Sequence, residues 1–317
     1  MKILVTGANG FVGRALCEYL SQAEVEVIAA ARSKDNLPDG INESLIAGSI
    51  DGGMDWSSCL QNVGVVIHLA ARVHVMKEMS VEPLAEFRKI NVDGTLNLAR
   101  QAAHVGVKRF IYLSSIKVNG EVTEVGQPFT EADTPHPIDA YGISKYEAEI
   151  GLMKIAQESK MEFVIIRPPL VYGKGVKANF ASLLNTIKRK IPLPLGAIQN
   201  KRSFVYLGNL VSLISLCIKH LAAANQVFMV SDGQDLSTTE LLQFSANAIG
   251  VKSRLIPVPQ SWIVVMAKLL GKIEIAQRLC DNLQVDISKA KKLLGWVPPF
   301  TVKEGLKATT EEMIKGC

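Results

Sequence analysis

Lys2-Ile3-Leu4-Val5-Thr6-Gly7-Ala8-Asn9-Gly10-Phe11-Val12-Gly13-Arg14 carries a short apolar strand into three spaced glycines and on into a helix start. A strand, a glycine turn and a helix in this order is how a parallel α/β sheet receives a dinucleotide. Gly7 permits the tight turn, Gly10 lets the backbone approach a pyrophosphate, and Gly13 lets the helix lie close to the strand. The free N–H groups at the helix start then face the phosphates, where the helix dipole favours negative charge. The spacing is G-x-x-G-x-x-G, not G-x-G-x-x-G. A bare strand-to-helix turn is the competing reading, and the context favours the dinucleotide.

Beyond this stretch, short β-rich runs alternate with longer helical patterns, as in parallel strands joined by helices. Strands are predicted at Lys2–Thr6, Glu26–Ala30, Val65–Leu69, Phe110–Ser114 and Glu162–Arg167. Helices are predicted at Val12–Gln22, Pro83–Val105 with a possible break, and Tyr141–Ser159. Val65-Val66-Ile67-His68-Leu69 and Phe110-Ile111-Tyr112-Leu113 are near-continuous apolar runs, as suits strands covered on both faces. After Arg167-Pro168-Pro169 the regularity fades, and 188–202 reads as loop around a binding surface. Apolar periodicity resumes at Leu210–Leu221 and Thr239–Ala248. The expected division is a dinucleotide-binding domain over 1–172 and a substrate lobe over 173–317, with a segment near 202–231 crossing back.

The 317 residues, 48% hydrophobic and 21% charged, describe a globular chain able to bury a large core. A net charge of +5 without any run of five Lys/Arg gives a nucleic-acid partner little support. Cys17, Cys59, Cys217, Cys280 and Cys317 lie far apart with no metal-ligand spacing, so reduced thiols, no metal and a cytoplasmic location are expected. The N-terminus reads as a strand, not a signal peptide. Trp262 to Leu270 is too short to span a bilayer. A buried helix is expected there in preference to one lying on a membrane surface.

Tyr141-Gly142-Ile143-Ser144-Lys145 places a phenol and an ammonium on one helix face. An adjacent Lys⁺ lowers a phenol's pKa and makes Tyr141 a candidate proton acceptor from a sugar hydroxyl, or donor to a carbonyl. A surface pair is the alternative. Ser114-Ser115 closes a strand on the edge where open α/β sheets bind ligands. Its alternative is a hydroxyl that satisfies the following loop.

Together these features resemble the short-chain dehydrogenase/reductase superfamily, in its extended branch of nucleotide-sugar epimerases, dehydratases and reductases. The resemblance covers nearly the whole chain through Thr6-Gly7-x-x-Gly10-x-x-Gly13, His68-Leu69-Ala70-Ala71, Asn91-Val92-Asp93-Gly94-Thr95, Ser114-Ser115-x-x-Val118, Tyr141-x-x-x-Lys145, Arg167-Pro168-x-x-Val171-Tyr172-Gly173 and Arg202-Ser203-Phe204-Val205. It implies a Rossmann-type doubly wound parallel sheet with a smaller α/β C-terminal lobe. It also implies a catalytic trio of Ser115, Tyr141 and Lys145, with Lys145 on the nicotinamide ribose. By the same resemblance the coenzyme site takes Gly7, Asn9, Gly10, Phe11, Val12, Gly13, Arg32, Ser49, Ile50, Leu69, Ala70, Ala71, Asn91, Tyr141, Lys145 and Pro168. The substrate, a UDP-sugar, falls to Ser115, Lys117, Asn179, Arg202 and Arg278, with a surface arginine the alternative for Arg278. A homodimer formed through the Tyr/Lys helix is implied as well.

Three departures refine this. Ala31 and Arg32 stand where NAD-preferring relatives carry a ribose-binding acid, so NADP(H) is expected, with Arg32 and Ser33 toward a 2′-phosphate and Arg14 assisting. A surface Arg32 in an NAD(H) enzyme is the alternative. Ile116-Lys117 follow Ser115 in place of the acid pair of 4,6-dehydratases, which disfavours elimination. Val118-Asn119-Gly120 replaces Val-Tyr-Gly, which is expected to reshape the sugar pocket near Lys117. The expected activity is a 4-keto-sugar reductase of a surface-polysaccharide pathway. The alternative is a UDP-glucose-type or UDP-N-acetylglucosamine-type 4-epimerase with retained NAD, and a remote one is a non-catalytic NADP-sensing regulator.

Overall fold

A computed structural model describes residues 1–33, 35–38, 41–73, 82–176 and 178–315. Its strands are β1 (Lys2–Thr6), β2 (Glu26–Ala31), β3 (Glu43–Ile46), β4 (Val63–His68), β5 (Arg109–Leu113), β6 (Glu162–Arg167), β7 (Leu170–Tyr172), β8 (Phe204–Tyr206) and β9 (Gln226–Met229). Its α-helices are α1 (Phe11–Leu20), α2 (Pro83–Arg88), α3 (Thr95–His104), α4 (Ala140–Glu158), α5 (Ala178–Lys188), α6 (Leu207–Lys219), α7 (Thr238–Ile249), α8 (Gln260–Leu269), α9 (Ile273–Cys280), α10 (Ser288–Leu294) and α11 (Val302–Lys315).

Seven parallel strands form one sheet in the order β3-β2-β1-β4-β5-β6-β9, and β7 pairs with β8 apart from it. The order reverses at β1, between β2 and β4, the point beyond whose carboxyl ends open α/β sheets bind their ligands. Both faces are covered. Leu16 and Leu20 of α1, Leu210, Leu213 and Ile214 of α6, and Leu294 of α10 pack with one set of strand residues. Leu98 and Ala102 of α3, Ala148 and Leu152 of α4, and Trp56 pack with the other. A third core joins Leu184 of α5, Leu241 and Leu242 of α7, and Leu306 of α11.

The expected helix over Pro83–Val105 is interrupted. The segment Lys89–Gly94 winds as a π-helical turn between α2 and α3, and such turns recur at functional sites. The strands β3 and β9 did not stand out in the sequence. The burial pattern of β3 is exposed, exposed, half-buried, exposed, so this edge strand lacks alternation. The segment 260–270 also departs from expectation: α8 has no buried residue. Among the described residues, no helix is long and apolar enough to cross a membrane.

Candidate functional site

The glycine turn forms a cradle that side chains would fill. Gly7 adopts φ +69°, and a Cβ there would lie 2.8 Å from the Ala70 nitrogen. At Gly13 a Cβ would lie 2.1 Å from the Gly7 carbonyl oxygen, so only glycine lets α1 start this close to β1. Gly10 caps α1 without a side-chain hydrogen bond. The first-turn N–H groups of Phe11, Val12 and Gly13 have no partner within the helix, so this terminus fits a pyrophosphate. Asn9 donates to the Ser33 carbonyl (3.4 Å) and to that of Asp35 (3.3 Å), tying the turn to the loop after β2. Ala31 is buried and Arg32 exposed in that loop, while Arg14 on α1 pairs with Glu18. Ser49 is exposed, Ile50 is buried, and Leu69, Ala70 and Ala71 are half-buried along the sheet edge.

Hydrogen bonds join the separate sequence blocks. Thr6 Oγ1 contacts His68 Nδ1 at 2.7 Å, and His68 Nε2 contacts Thr95 Oγ1 at 2.9 Å. Burial drops the His68 pKa to about 3, with the Lys145 charge adding to the effect, so the imidazole is neutral. Asn91, in the π-helical turn, accepts from the Arg72 nitrogen (2.8 Å) and donates to the Arg72 carbonyl (3.0 Å) and to Ser144 Oγ (2.9 Å). It therefore fixes the chain after β4 against the helix that carries Tyr141.

Asp139 caps α4 by accepting from the Gly142 nitrogen at 2.7 Å, which sets Tyr141 and Lys145 in its first two turns. Ser115, just beyond β5, accepts from the Lys117 nitrogen and is hydrogen-bonded to Tyr141. The trio thus converges at one strand end. The expected lowering of the Tyr141 pKa is absent: burial raises it, the Asp139 charge adds to the rise, and the Ser115 hydrogen bond opposes it. Lys145 Nζ is 6.0 Å from the Tyr141 ring centroid and donates instead to the Leu113 carbonyl at 2.7 Å. Burial brings the Lys145 pKa down to about 7, against the attraction of Glu149.

Glu149 sits one further turn along α4, fully buried. It accepts from Ser114 Oγ and from Arg167 Nε (3.0 Å) and Nη2 (2.5 Å). Arg167 also donates to Asn119 Oδ1 at 2.9 Å, and Asn119 donates to the Thr130 carbonyl at 3.0 Å. Asn119 is therefore buried behind the strand ends holding Arg167, where a role in shaping the sugar pocket was expected. Glu149 escaped the sequence reading although its signal was present, because residues 141, 145 and 149 share one helix face. Pro168 accepts from the Ile116 nitrogen at 3.0 Å and so steadies the Ser115 turn.

On the substrate side, Lys117 Nζ is neutralised by Asp139 and by Glu121 Oε1 at 2.7 Å. Arg202, half-buried, donates to the Asp281 carbonyl at 2.9 Å, and burial lowers its pKa against the pull of Asp281 and Glu121. Arg278 is not brought to this group: its guanidinium is exposed on α9, 4.0 Å from Glu274. Asn179 lies in α5, with its side chain outside the described residues.

Residues 3–231 match the model of the NAD dependent epimerase/dehydratase family. A UDP-glucose 4-epimerase of Vibrio cholerae is 50% identical over 315 residues, spanning 99% of this chain and 95% of that protein. An N-acetyl-alpha-D-glucosaminyl-diphospho-ditrans,octacis-undecaprenol 4-epimerase of Escherichia coli O157:H7 is 27% identical, spanning 98% and 94%. The solved UDP-glucose 4-epimerase of Thermotoga maritima with UDP-glucose superposes with TM-score 0.79 at 26% identity, covering 100% of this chain and 99% of that one.

Proposed function

The chain belongs to the NAD dependent epimerase/dehydratase family, and within it we propose a UDP-hexose 4-epimerase of the UDP-glucose type that keeps its coenzyme through the cycle. The observation that carries this reading is the 50% identity, along essentially the whole chain, to the Vibrio cholerae UDP-glucose 4-epimerase. The reductase expectation, drawn from Ala31 and Arg32 and from the overall likeness to such enzymes, finds no support in these relatives. Arg32 is an exposed side chain beside the turn, compatible with NAD(H).

The bound nicotinamide supplies the oxidising and reducing equivalent at C4 of the sugar. The remaining tasks fall to this chain's own residues. Tyr141 takes the proton of the 4-hydroxyl and later returns it, and the Ser115 hydroxyl orients the same oxygen. Because burial raises the phenol's pKa, the Tyr141 phenolate is a strong base toward the 4-hydroxyl proton, and the phenol so formed keeps that proton until the return step. Lys145 lies behind the phenol, fixed on the Leu113 carbonyl, and with its pKa brought down to about 7 it can both hold and release a proton near neutral pH. Arg202 holds the diphosphate, where a guanidinium fork suits phosphate oxygens. Incubation of the protein with UDP-glucose is expected to yield UDP-galactose without net coenzyme turnover, followed by chromatography. Stoichiometric NADPH oxidation by a 4-keto sugar, with no interconversion, would restore the reductase.

A second reading is favoured by a separate observation, the exposed apolar face of α8. The Escherichia coli relative is named for a sugar diphosphate carried on a lipid, and an apolar face beside the sugar lobe suits such a carrier.

A further inference from the structure

Helix α8 carries an apolar surface on the side a core helix would leave polar. Ile263 and Val264 pack on the core of the sugar lobe. Trp262, Val265, Met266 and Leu269 recur at i, i+3, i+4 and i+7 on the opposite flank. They are 69, 57, 56 and 76% exposed. Leu270, and Ile275 on α9, continue the patch at 65 and 55%. A helix apolar all round calls for cover on both sides, and a contiguous exposed apolar face marks an interaction surface.

The charge around the face selects its occupant. No Asp or Glu occurs between Glu240 and Glu274, whereas Lys252, Arg254, Lys268 and Lys272 do. All four are exposed, Lys268 within α8 and Lys272 at the N-cap of α9. A tryptophan and long aliphatic side chains edged by lysines, with the one acid of α9, Glu274, set 4.0 Å from Arg278, make up a helix that lies in the plane of an anionic bilayer, with the indole at headgroup level. A second copy of the chain meeting this face across a two-fold axis would oppose positive to positive. The face is also joined to the substrate side. At the end of α9 the Leu279 carbonyl accepts from Asn200 and the Asp281 carbonyl accepts from Arg202.

We propose that α8 and the start of α9 dock the sugar lobe on an anionic membrane surface. The inference rests on this face alone and holds whether the substrate is a free nucleotide sugar or a lipid-linked one.

The test uses the full chain with vesicles of phosphatidylethanolamine and phosphatidylglycerol, and with phosphatidylcholine vesicles as the neutral control. Trp56 and Trp296 are buried, so a change in tryptophan emission reports Trp262. Expected are a blue shift and co-sedimentation with the anionic vesicles, weakening as salt rises. The pairs Trp262→Ser with Leu269→Ser, and Lys268→Glu with Lys272→Glu, are each expected to lower the partition constant at least about tenfold. Turnover of UDP-glucose in vesicle-free buffer is expected to stay unchanged in both. Absence of binding to anionic vesicles at low salt overturns the proposal. So does equal binding by the variants, or a blue shift that grows with protein concentration alone, which would assign the face to a second copy.

Discussion

Tyr141 and Lys145 depart from their usual pKa values in opposite directions for one reason: burial disfavours whichever form is charged. Tyr141→Phe keeps the ring's edge contact with Phe87 and removes only the proton carrier. It is expected to lower kcat for UDP-glucose by roughly 10²–10⁴-fold with little change in KM, and unchanged kcat would remove the phenol from the mechanism. Arg32→Ala is expected to leave NAD binding unchanged in titration calorimetry, and a selective loss of NADP binding would return Arg32 to a 2′-phosphate. His68 is the acid-labile group. Its folded pKa of about 3 lies below the unfolded value of 6.5, so the unfolded chain binds the extra proton between these values. The native state loses stability as pH falls through that window and loses nothing to His68 above it. Between pH 6.5 and 5 the loss is about 2 kcal/mol. Urea titrations at the two pH values should show a smaller loss in His68→Gln, and the same loss in both proteins would clear His68.

At the scale of elements, α1 depends on Gly13 and α4 on its buried ion pair. Gly13→Ala would push a methyl into the Gly7 carbonyl. The expected cost is about 1–3 kcal/mol of stability, with loss of dinucleotide affinity, measured by denaturant melts and calorimetry. Glu149→Ala would strand the Arg167 guanidinium between α4 and β6, at about 3–5 kcal/mol, and a loss under 1 kcal/mol would show that water reaches the pair. The elements legible beforehand were those with a strong period or a glycine signature. β1, with its turn, and β6 were read residue for residue, and α4 to within a residue at each end. The strand β3 was not, because Glu43-Ser44-Leu45-Ile46 is exposed at the sheet edge and carries no alternation. The site was legible where chemistry sits in named blocks, but the Asn91 clamp and the Asn119 contact with Arg167 need the fold to bring them together. For α8, apolar residues in sequence state only that cover is wanted; whether the cover comes from the same chain is a tertiary fact.

At the scale of the whole molecule, the chain leaves the main sheet after β6, builds β7 and α5, and returns through α6 and β9. It then leaves for α7, α8 and α9 and comes back once more as α10, which packs on the same core as α1 and α6. Tyr172 hydrogen-bonds Asp232 at 2.6 Å, and Asp232 accepts from the Tyr206 nitrogen and from Asn209, each at 2.7 Å. Asn209 in turn holds both the amide and the carbonyl of Phe300. A polypeptide plaited in this way has no seam at which it can be divided. A fragment ending at residue 172 lacks Leu210, Leu213, Ile214 and Phe228, which close one face of its sheet, and is expected to precipitate when expressed alone. Calorimetry of the intact chain should trace one cooperative melt; two separated peaks would mean the strands of the plait can slip.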